Sequence, residues 1–538
     1  MFRFAKSLLF LILLGAIFVA RGQAQTINAA SCNSIDVQSA LKSVSTDGTT
    51  VNIPAGTCIW ATTITYNQKY STTIQGQTTV TGTCAPGGSC SAADTTVIQT
   101  TTANSALAIT AAANKSIRVT GITFLYSSGG TQDSGVVAIS GATQSMRVDH
   151  SHFIHSNQVD VFVNGSTGPI LGVVDHNLFN ENVLGFGIHA AEGNWSGTEQ
   201  TGDYPSGLGN SSWADASYWG SNKFVFFENN TFVWDPGGNG SSFVFDCNPG
   251  GRLVARFNQA NNFAFQTHGT GSGDANYRGC REIEAYGNSL VHNGTYFAVI
   301  QEEGGGYMFW GNTVGNFGYV IEEDTIRTNS TTYGQTTPPN GWGYCGNQVS
   351  GADSAWDGNA SASTGYPCLD QVGRGGGDLI VGEFPSKKDN VSGKVSWPNQ
   401  VIDPVYAFAN TVSGATNYWY SFCQCGIVAE NRDYYLQLPN VNEPQSFDGS
   451  AGIGQGPLAS KPSTCTTNGT TGAAWWGTDQ GSWNTSGNGF GNGVLYTCSA
   501  TNTWTAYYTP YTYPHPLVTG SQSSGVPNAP TNLSATVN

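Results

Sequence analysis

From residue 117 to residue 314 one pattern recurs: a short apolar run, a polar corner, then a second apolar run. It reads as "IRVTGITF" (117–124), "MRVDHSHF" (146–153), "GVVDHNLF" (172–179), "VFFENNTF" (225–232), "LVARFNQA" (253–260), "IEAYGNSL" (283–290) and "MFWGNTV" (308–314). The matching corner positions are Ile122, Ser151, Asn177, Asn230, Asn258, Asn288 and Asn312. They lie 24 to 30 residues apart, apart from one gap of 53 that holds the Trp-rich insert 194–220. Short β runs at such a period predict stacked coils rather than a sandwich, whose strands have no reason to keep asparagine in register. Asparagine suits the position for two reasons. It tolerates the left-handed backbone of a tight turn, and its amide can hydrogen-bond up and down a ladder.

Ahead of the repeats, "SIDVQSALKSVS" (34–45) places Ile35, Val37, Leu41 and Val44 at helical spacing, and "GTTVNIPAGTCIW" (48–60) begins the strands. A short helix here would cap the open end of the coil stack. The stretch "VQSALKSVSTDGTTVNIPAGTCIWATTITYNQKYSTTIQGQ", taken with the repeats to about residue 330, resembles secreted proteins of the pectate-lyase-like superfamily. The resemblance implies an all-β fold, a right-handed parallel β-helix with a short N-terminal capping helix. The segments "GYPCLDQVGRGGGDL", "DPVYAFANT", "ENRDYY" and "YTPYTYPHPL" resemble parts of bacterial secreted β-helix proteins. The organisation expected is a leader over 1–24, the β-helix with loop inserts over 25–440, an aromatic and Gly-rich region over 441–520, and a tail over 521–538. The tail "VPNAPTNLSATVN" resembles the first strand of a fibronectin type III domain.

Composition sharpens this reading. A basic start (Arg3, Lys6), the run "LLFLILLGAIFVA" and the small-x-small site Gly22-Gln23-Ala24 predict a secretory signal peptide cut after Ala24. No later stretch is apolar enough to span a bilayer, so a secreted, extracellular protein is expected. Twelve cysteines fit an oxidising compartment. Their spacing suggests the local pairs Cys32–Cys58, Cys84–Cys90, Cys247–Cys280, Cys345–Cys368 and Cys465–Cys498, leaving Cys423 and Cys425. The formal charge of −15 becomes −18 once Arg3, Lys6 and Arg21 leave with the leader. That argues against nucleic acid or an anionic membrane as partner. A polyuronate would also be repelled unless calcium or a local arginine cluster intervened.

Candidate chemistry lies at the polar ends of the strands that follow each corner. Laid in register by their apolar residues, these ends stack as Asn164, His189, Asp246, His268, Glu302 or Glu303, and Glu322 or Glu323. Three readings of this column stand side by side. Asp246 and Glu302, two coils apart at roughly 10 Å, would suit inverting glycoside hydrolysis. Alternatively, His268, Arg278 and Arg281 supply the base and the neutralising charge of a β-elimination, with Asp246 and Glu302 holding calcium. In the third reading each polar end caps a strand at the coil corner.

Family motifs do not choose among these. "RVDHSHF" and "VVDHNLF" resemble the "DH-x-x-F" coil of pectate lyases at Asp149-His150 and Asp175-His176, but the Arg-x-Pro-x-x-Arg motif of that family is absent. His150 and His152 share a strand face, with His155 close by, but no clear third metal ligand accompanies them. Trp195, Trp213 and Trp219 of the insert would wall a sugar groove beside His189, Glu322 and Glu323 if exposed; Trp475, Trp476, Trp483 and Trp504 carry the same question near the C-terminus. The function expected is binding, and cleavage by lyase or hydrolase chemistry, of a polysaccharide or cell-surface glycan. The alternative is a non-catalytic adhesin or structural solenoid. An enzyme should show converging acids in a groove; an adhesin should show a flat polar column.

Overall fold

The computed structural model describes residues 25–520, apart from 103, 127–134, 155–158, 166, 182–211, 213–215, 235–241, 248–249, 268–278, 324–371, 376–400, 416, 422–427, 441–442 and 468–471. The chain winds into a parallel β-helix. Its first sheet has twelve parallel strands, from Thr26–Asn28 through Ile117–Thr120, Ile170–Asp175 and Gly306–Trp310 to Tyr434–Leu436. The second sheet begins at Gly56–Trp60 and Thr96–Thr100. The third begins with Ile64–Asn67, Leu107–Ala111, Val137–Gly141 and Val161–Asn164. In the later coils the second and third faces merge, because Ser289–Glu302 and Thr313–Glu323 run through the corner as single strands.

The recurrent corner is a ladder. The backbone N–H of Asn177 donates to the Asn230 Oδ1 at 3.0 Å, and the Asn177 Nδ2 donates to the same oxygen at 3.1 Å. The same pair of bonds runs from Asn230 to Asn258, Asn258 to Asn288, Asn288 to Asn312, and Asn312 to Asn410. Each amide also bonds a strand carbonyl of the preceding coil, as Asn258 Nδ2 does with Phe227 O at 2.9 Å. The left-handed residue, however, is the one before the corner position, Ser151 or an asparagine: His150, His176, Asn229, Phe257, Gly287, Gly311 and Ala409 all have φ between 48° and 66°. Asparagine is thus selected for its amide, which needs one donor and one acceptor aimed along the axis. The backbone turn falls to its neighbour.

Two residues past the ladder, Phe124, Phe153, Phe179 and Phe232 stack in the interior at centroid spacings of 5.4, 4.9 and 4.6 Å. These spacings are those of adjacent strands, so ring stacking and sheet pairing reinforce each other. At the N-terminus a helix covers Ser34–Lys42 and buries Val37, Ala40 and Leu41. Ile35, expected on that face, is 78% exposed instead. At about 100° per residue it lies far around the helix from the Val37–Leu41 stripe.

The disulfides Cys32–Cys58, Cys84–Cys90, Cys247–Cys280 and Cys465–Cys498 are formed as the spacing suggests. Cys345, Cys368, Cys423 and Cys425 lie outside the described residues. No helix among the described residues is long and apolar enough to cross a membrane.

Beyond the last coil, Ile453–Gly456, Ala474–Gly477, Val494–Ala500 and Thr503–Tyr508 form a four-stranded sheet. It closes over the outer face of the first sheet, burying Trp310, Phe408, Trp476, Trp483 and Tyr508 in a second core. Trp475, Trp476 and Trp483 are therefore core residues rather than a sugar platform, and Trp504 is half-buried.

Candidate functional site

The register gives a row whose membership differs from the expected column, with Asp246 and Glu322 buried in it. At the C-terminal end of the third face, strand pairing sets Asp246, Gln266, Gln301, Glu322 and Tyr420 in one row. Glu302 falls in the next row, opposite Glu323. A shift of one residue carries a strand side chain to the opposite face, and here it does so. The Gln301 Nε2 donates to the Glu322 carboxylate at 2.9 Å. Asp246 and Glu322 are separated by three strand spacings, about 14 Å at the backbone.

Glu302 is fully buried, and neither of its oxygens has a hydrogen-bond partner. Burial pushes its carboxyl well above the ordinary 4.5, and the neighbouring Glu323 charge pushes in the same direction. Around it, the Thr267 hydroxyl accepts from the Tyr307 hydroxyl at 2.9 Å and from the Glu303 N–H at 3.0 Å, while the Ser421 hydroxyl donates to Glu323. Glu303 is half-buried at the corner, where the chain turns at Gly305 with φ 84°. A Cβ there would lie 2.4 Å from the Cys280 carbonyl oxygen, so the turn requires glycine.

Arg281 and Trp219 belong to a different face. Arg281 is buried and pairs with Asp403 at 2.8 Å and with Glu282 at 3.4 Å. The Trp219 indole N–H donates to Asp403 at 3.1 Å, and so does the Tyr507 hydroxyl. Arg252 completes the cluster through Glu282. Next to it, Glu284 accepts from Gly220 N–H and the Tyr508 hydroxyl, and burial raises its carboxyl to about 7. The last residues of the tryptophan insert thus pin the C-terminal sheet onto the first sheet through a dense ionic network. Removing one partner of such a network would strand a buried charge.

The repeated Asp-His pairs line the outer edge of the first sheet. Asp149 takes a bidentate pair from Arg118 and a bond from the His150 Nδ1 at 2.7 Å. Asp175 is held by Arg147 and by the His176 Nδ1 at 2.8 Å. Burial favours the neutral form of Asp149, but Arg118, His150 and Arg147 outweigh it and lower the carboxyl to about 2. Asp149, His150 and Asp175 bring ligand atoms within 4.8 Å of one another. Their carboxylates are already neutralised by two arginines, which leaves a cation little to gain. His152 faces elsewhere, bonding Asp94 at 2.8 Å.

The site residue that the sequence reading missed is aromatic. Phe297 is 41% exposed and meets the Tyr319 and Tyr420 rings at 5.2 and 5.5 Å; those two stack at 4.4 Å. Three successive coils thereby carry an aromatic patch beside the Gln301–Glu322 pair. In sequence Phe297 reads as one more apolar strand residue of "YFAVIQEE", and only strand parity and the bulge after Val291 turn it outward. His189, Trp195, Trp213, His268 and Arg278 lie outside the described residues.

No family model matches the chain, and no curated protein matches it. Among solved structures, the chain described as Geobacillus virus E2 – ORF18 aligns at 11% identity with a TM-score of 0.24, covering 56% of this chain and 56% of that one. The chain therefore spans little more than half of that protein's length.

Proposed function

We propose that this is an exported β-helix that binds a polysaccharide along its third face and does not cleave it. The observation that carries this reading is the aromatic patch of exposed Phe297 with half-buried Tyr319 and Tyr420, beside the half-buried Gln301 whose amide bonds the buried Glu322 carboxylate. Sugar rings stack on aromatic faces through their C–H edges, while an amide such as that of Gln301 alongside takes the hydroxyls. Four disulfides fit an oxidising, extracellular setting.

Cleavage draws less support. An inverting pair needs carboxyls about 6.5–9.5 Å apart with water between them. Asp246 and Glu322 stand about 14 Å apart at the backbone. Glu302 lies in the interior, and Arg281 is committed to Asp403 and Glu282.

The test is a polysaccharide panel read by affinity electrophoresis, with reducing ends and unsaturated-uronate absorbance recorded in parallel. Binding should be lost in Phe297→Ala/Tyr420→Ala and kept in Glu302→Gln, with neither product signal rising. Turnover in either assay, or full binding by the double aromatic variant, would overturn the proposal.

A further inference from the structure

A cavity of about 460 Å³ lies between the capping helix and the first coil of the third face, lined in part by Gln38, Lys42, Tyr66, Asn67, Lys69 and Tyr70. No carboxylate lines it, although acidic residues outnumber basic ones by 35 to 20 in the whole chain. Among the described residues every arginine is ion-paired with a carboxylate: Arg118, Arg147, Arg252, Arg256, Arg281, Arg374 and Arg432. Lys115 pairs with Asp47, and Lys461 lies over the Trp504 ring. Lys42 and Lys69 are exposed, make no ion pair, and face one concavity.

The helix does not account for both. Lys42 is in its last turn, where cations favour the carbonyl end. Those carbonyls already have donors, since Ser43 N–H and the Ser43 hydroxyl reach Ala40 O and Val44 N–H reaches Leu41 O. Lys69 comes from a separate element, just past the strand Ile64–Asn67. Gln38 ties helix to strand through both ends of its amide, donating to Thr65 O at 2.9 Å and accepting from Thr65 N–H at 3.1 Å. The two lysines are therefore held across a fixed cleft.

We infer that this cleft is a binding site for the anionic group, carboxylate or sulfate, of an acidic saccharide. Two ammonium groups supply the countercharge, and the half-buried Tyr70 ring and the exposed Asn67 amide supply surface for a sugar ring. It would let a strongly acidic protein hold a like-charged polymer without calcium, through a local reversal of sign. The cleft lies on the same face as the aromatic patch, seven strand spacings or about 34 Å away along the axis. The inference extends the glycan reading but stands on different residues, so the two can fail separately.

The experiment is isothermal titration of the full chain with three probes: an oligogalacturonate, a sulfated oligosaccharide, and a neutral oligosaccharide of equal length. Each is measured at low salt and at about 1 M salt, where the Debye length falls to about 3 Å. Lys42→Ala/Lys69→Ala should weaken one or both acidic probes by about three- to tenfold at low salt, two exposed ionic contacts being lost. It should leave the neutral probe unchanged, and Lys223→Ala should change nothing. The acidic probe that responds identifies the anion as carboxylate or sulfate. Equal acidic binding by wild type and the lysine double variant overturns the inference, whether or not Phe297→Ala/Tyr420→Ala loses the neutral probe. Acidic affinities that stay unchanged at high salt overturn it as well.

Discussion

Replacing Asn258 by alanine tests the ladder at its centre. The Asn258 side chain is 1% exposed. Its Oδ1 accepts from the Asn230 N–H and Nδ2, both at 3.1 Å. Its Nδ2 donates to Phe227 O and Asn288 Oδ1, both at 2.9 Å. Alanine removes all four bonds and supplies nothing in return. A net hydrogen bond is worth about 1 kcal/mol, and a buried group left without a partner costs about 1–3 kcal/mol. The orphaned groups include the Asn230 N–H and the Phe227 carbonyl, so a loss of about 3–5 kcal/mol is expected. Aspartate should be no better. It restores the acceptor but faces the Phe227 and Asn288 oxygens with a second one. Urea unfolding followed by circular dichroism gives the measurement, with exposed Thr411→Ala as the control for handling. The neighbouring Asn230→Ala should cost less in the Asn258→Ala background than alone, because both changes remove the same bonds. A destabilisation below about 0.5 kcal/mol for Asn258→Ala would show that the ladder is a register marker rather than a source of stability.

Three further outcomes are expected. Glu302→Gln should stabilise the protein at alkaline pH. A carboxyl whose folded pKa is raised binds more protons folded than unfolded, so stability falls as pH rises above 4.5, with a slope of about 1.4 kcal/mol per pH unit until the folded pKa is passed. The variant should flatten that fall, and an unchanged slope between about pH 5 and 9 in matched urea titrations refutes the interior placement. His515→Asn should act on the acid side: burial lowers the imidazole from 6.5 to about 3, with the Arg256 and Arg147 charges helping, so the wild type gains stability as pH rises from 3 to 6.5. Asparagine can still accept from the Leu517 N–H and should remove that gain; equal acid sensitivity by thermal melts refutes it. Cys247→Ala/Cys280→Ala opens a bridge between residues 33 apart and should cost about 3–4 kcal/mol in the chain-entropy account. No change in the urea midpoint would place that bond outside the stability of the later coils.

Much of the solenoid could be read from the chain because its repeat is local. Asn177, Asn230, Asn258, Asn288 and Asn312 each end a run whose length one coil dictates. Once one corner is placed, pairing places the next, and the four cysteine pairs described follow from the same proximity. The candidate site was legible only in outline. The reading found the polar strand ends but set Glu302 or Glu303 in the row that Gln301 occupies, since one residue of slip leaves the apolar alternation almost as good. One of its alternatives also put Arg281 beside Glu302, and it set Trp219 beside Glu322 and Glu323. Arg281 sits just before a strand of the first sheet and Glu302 ends one of the third, and a corner between them turns their side chains to different surroundings.

What the sequence determined by itself is therefore the repeating unit: where the corners fall, which residues stack inward, and which amide passes the hydrogen bonds on. These depend on neighbours within one coil, where sterics and alternation act. Tertiary structure decided everything that depends on what lies over a coil. The C-terminal sheet converts the tryptophans and the arginine–carboxylate clusters of the first sheet from surface to core. The third face keeps Phe297, Tyr319 and Tyr420 accessible, and the capping helix sets Lys42 across from Lys69. Exposure is a property of the whole packed surface, and no local pattern of apolar and polar residues encodes which face a distant segment will cover.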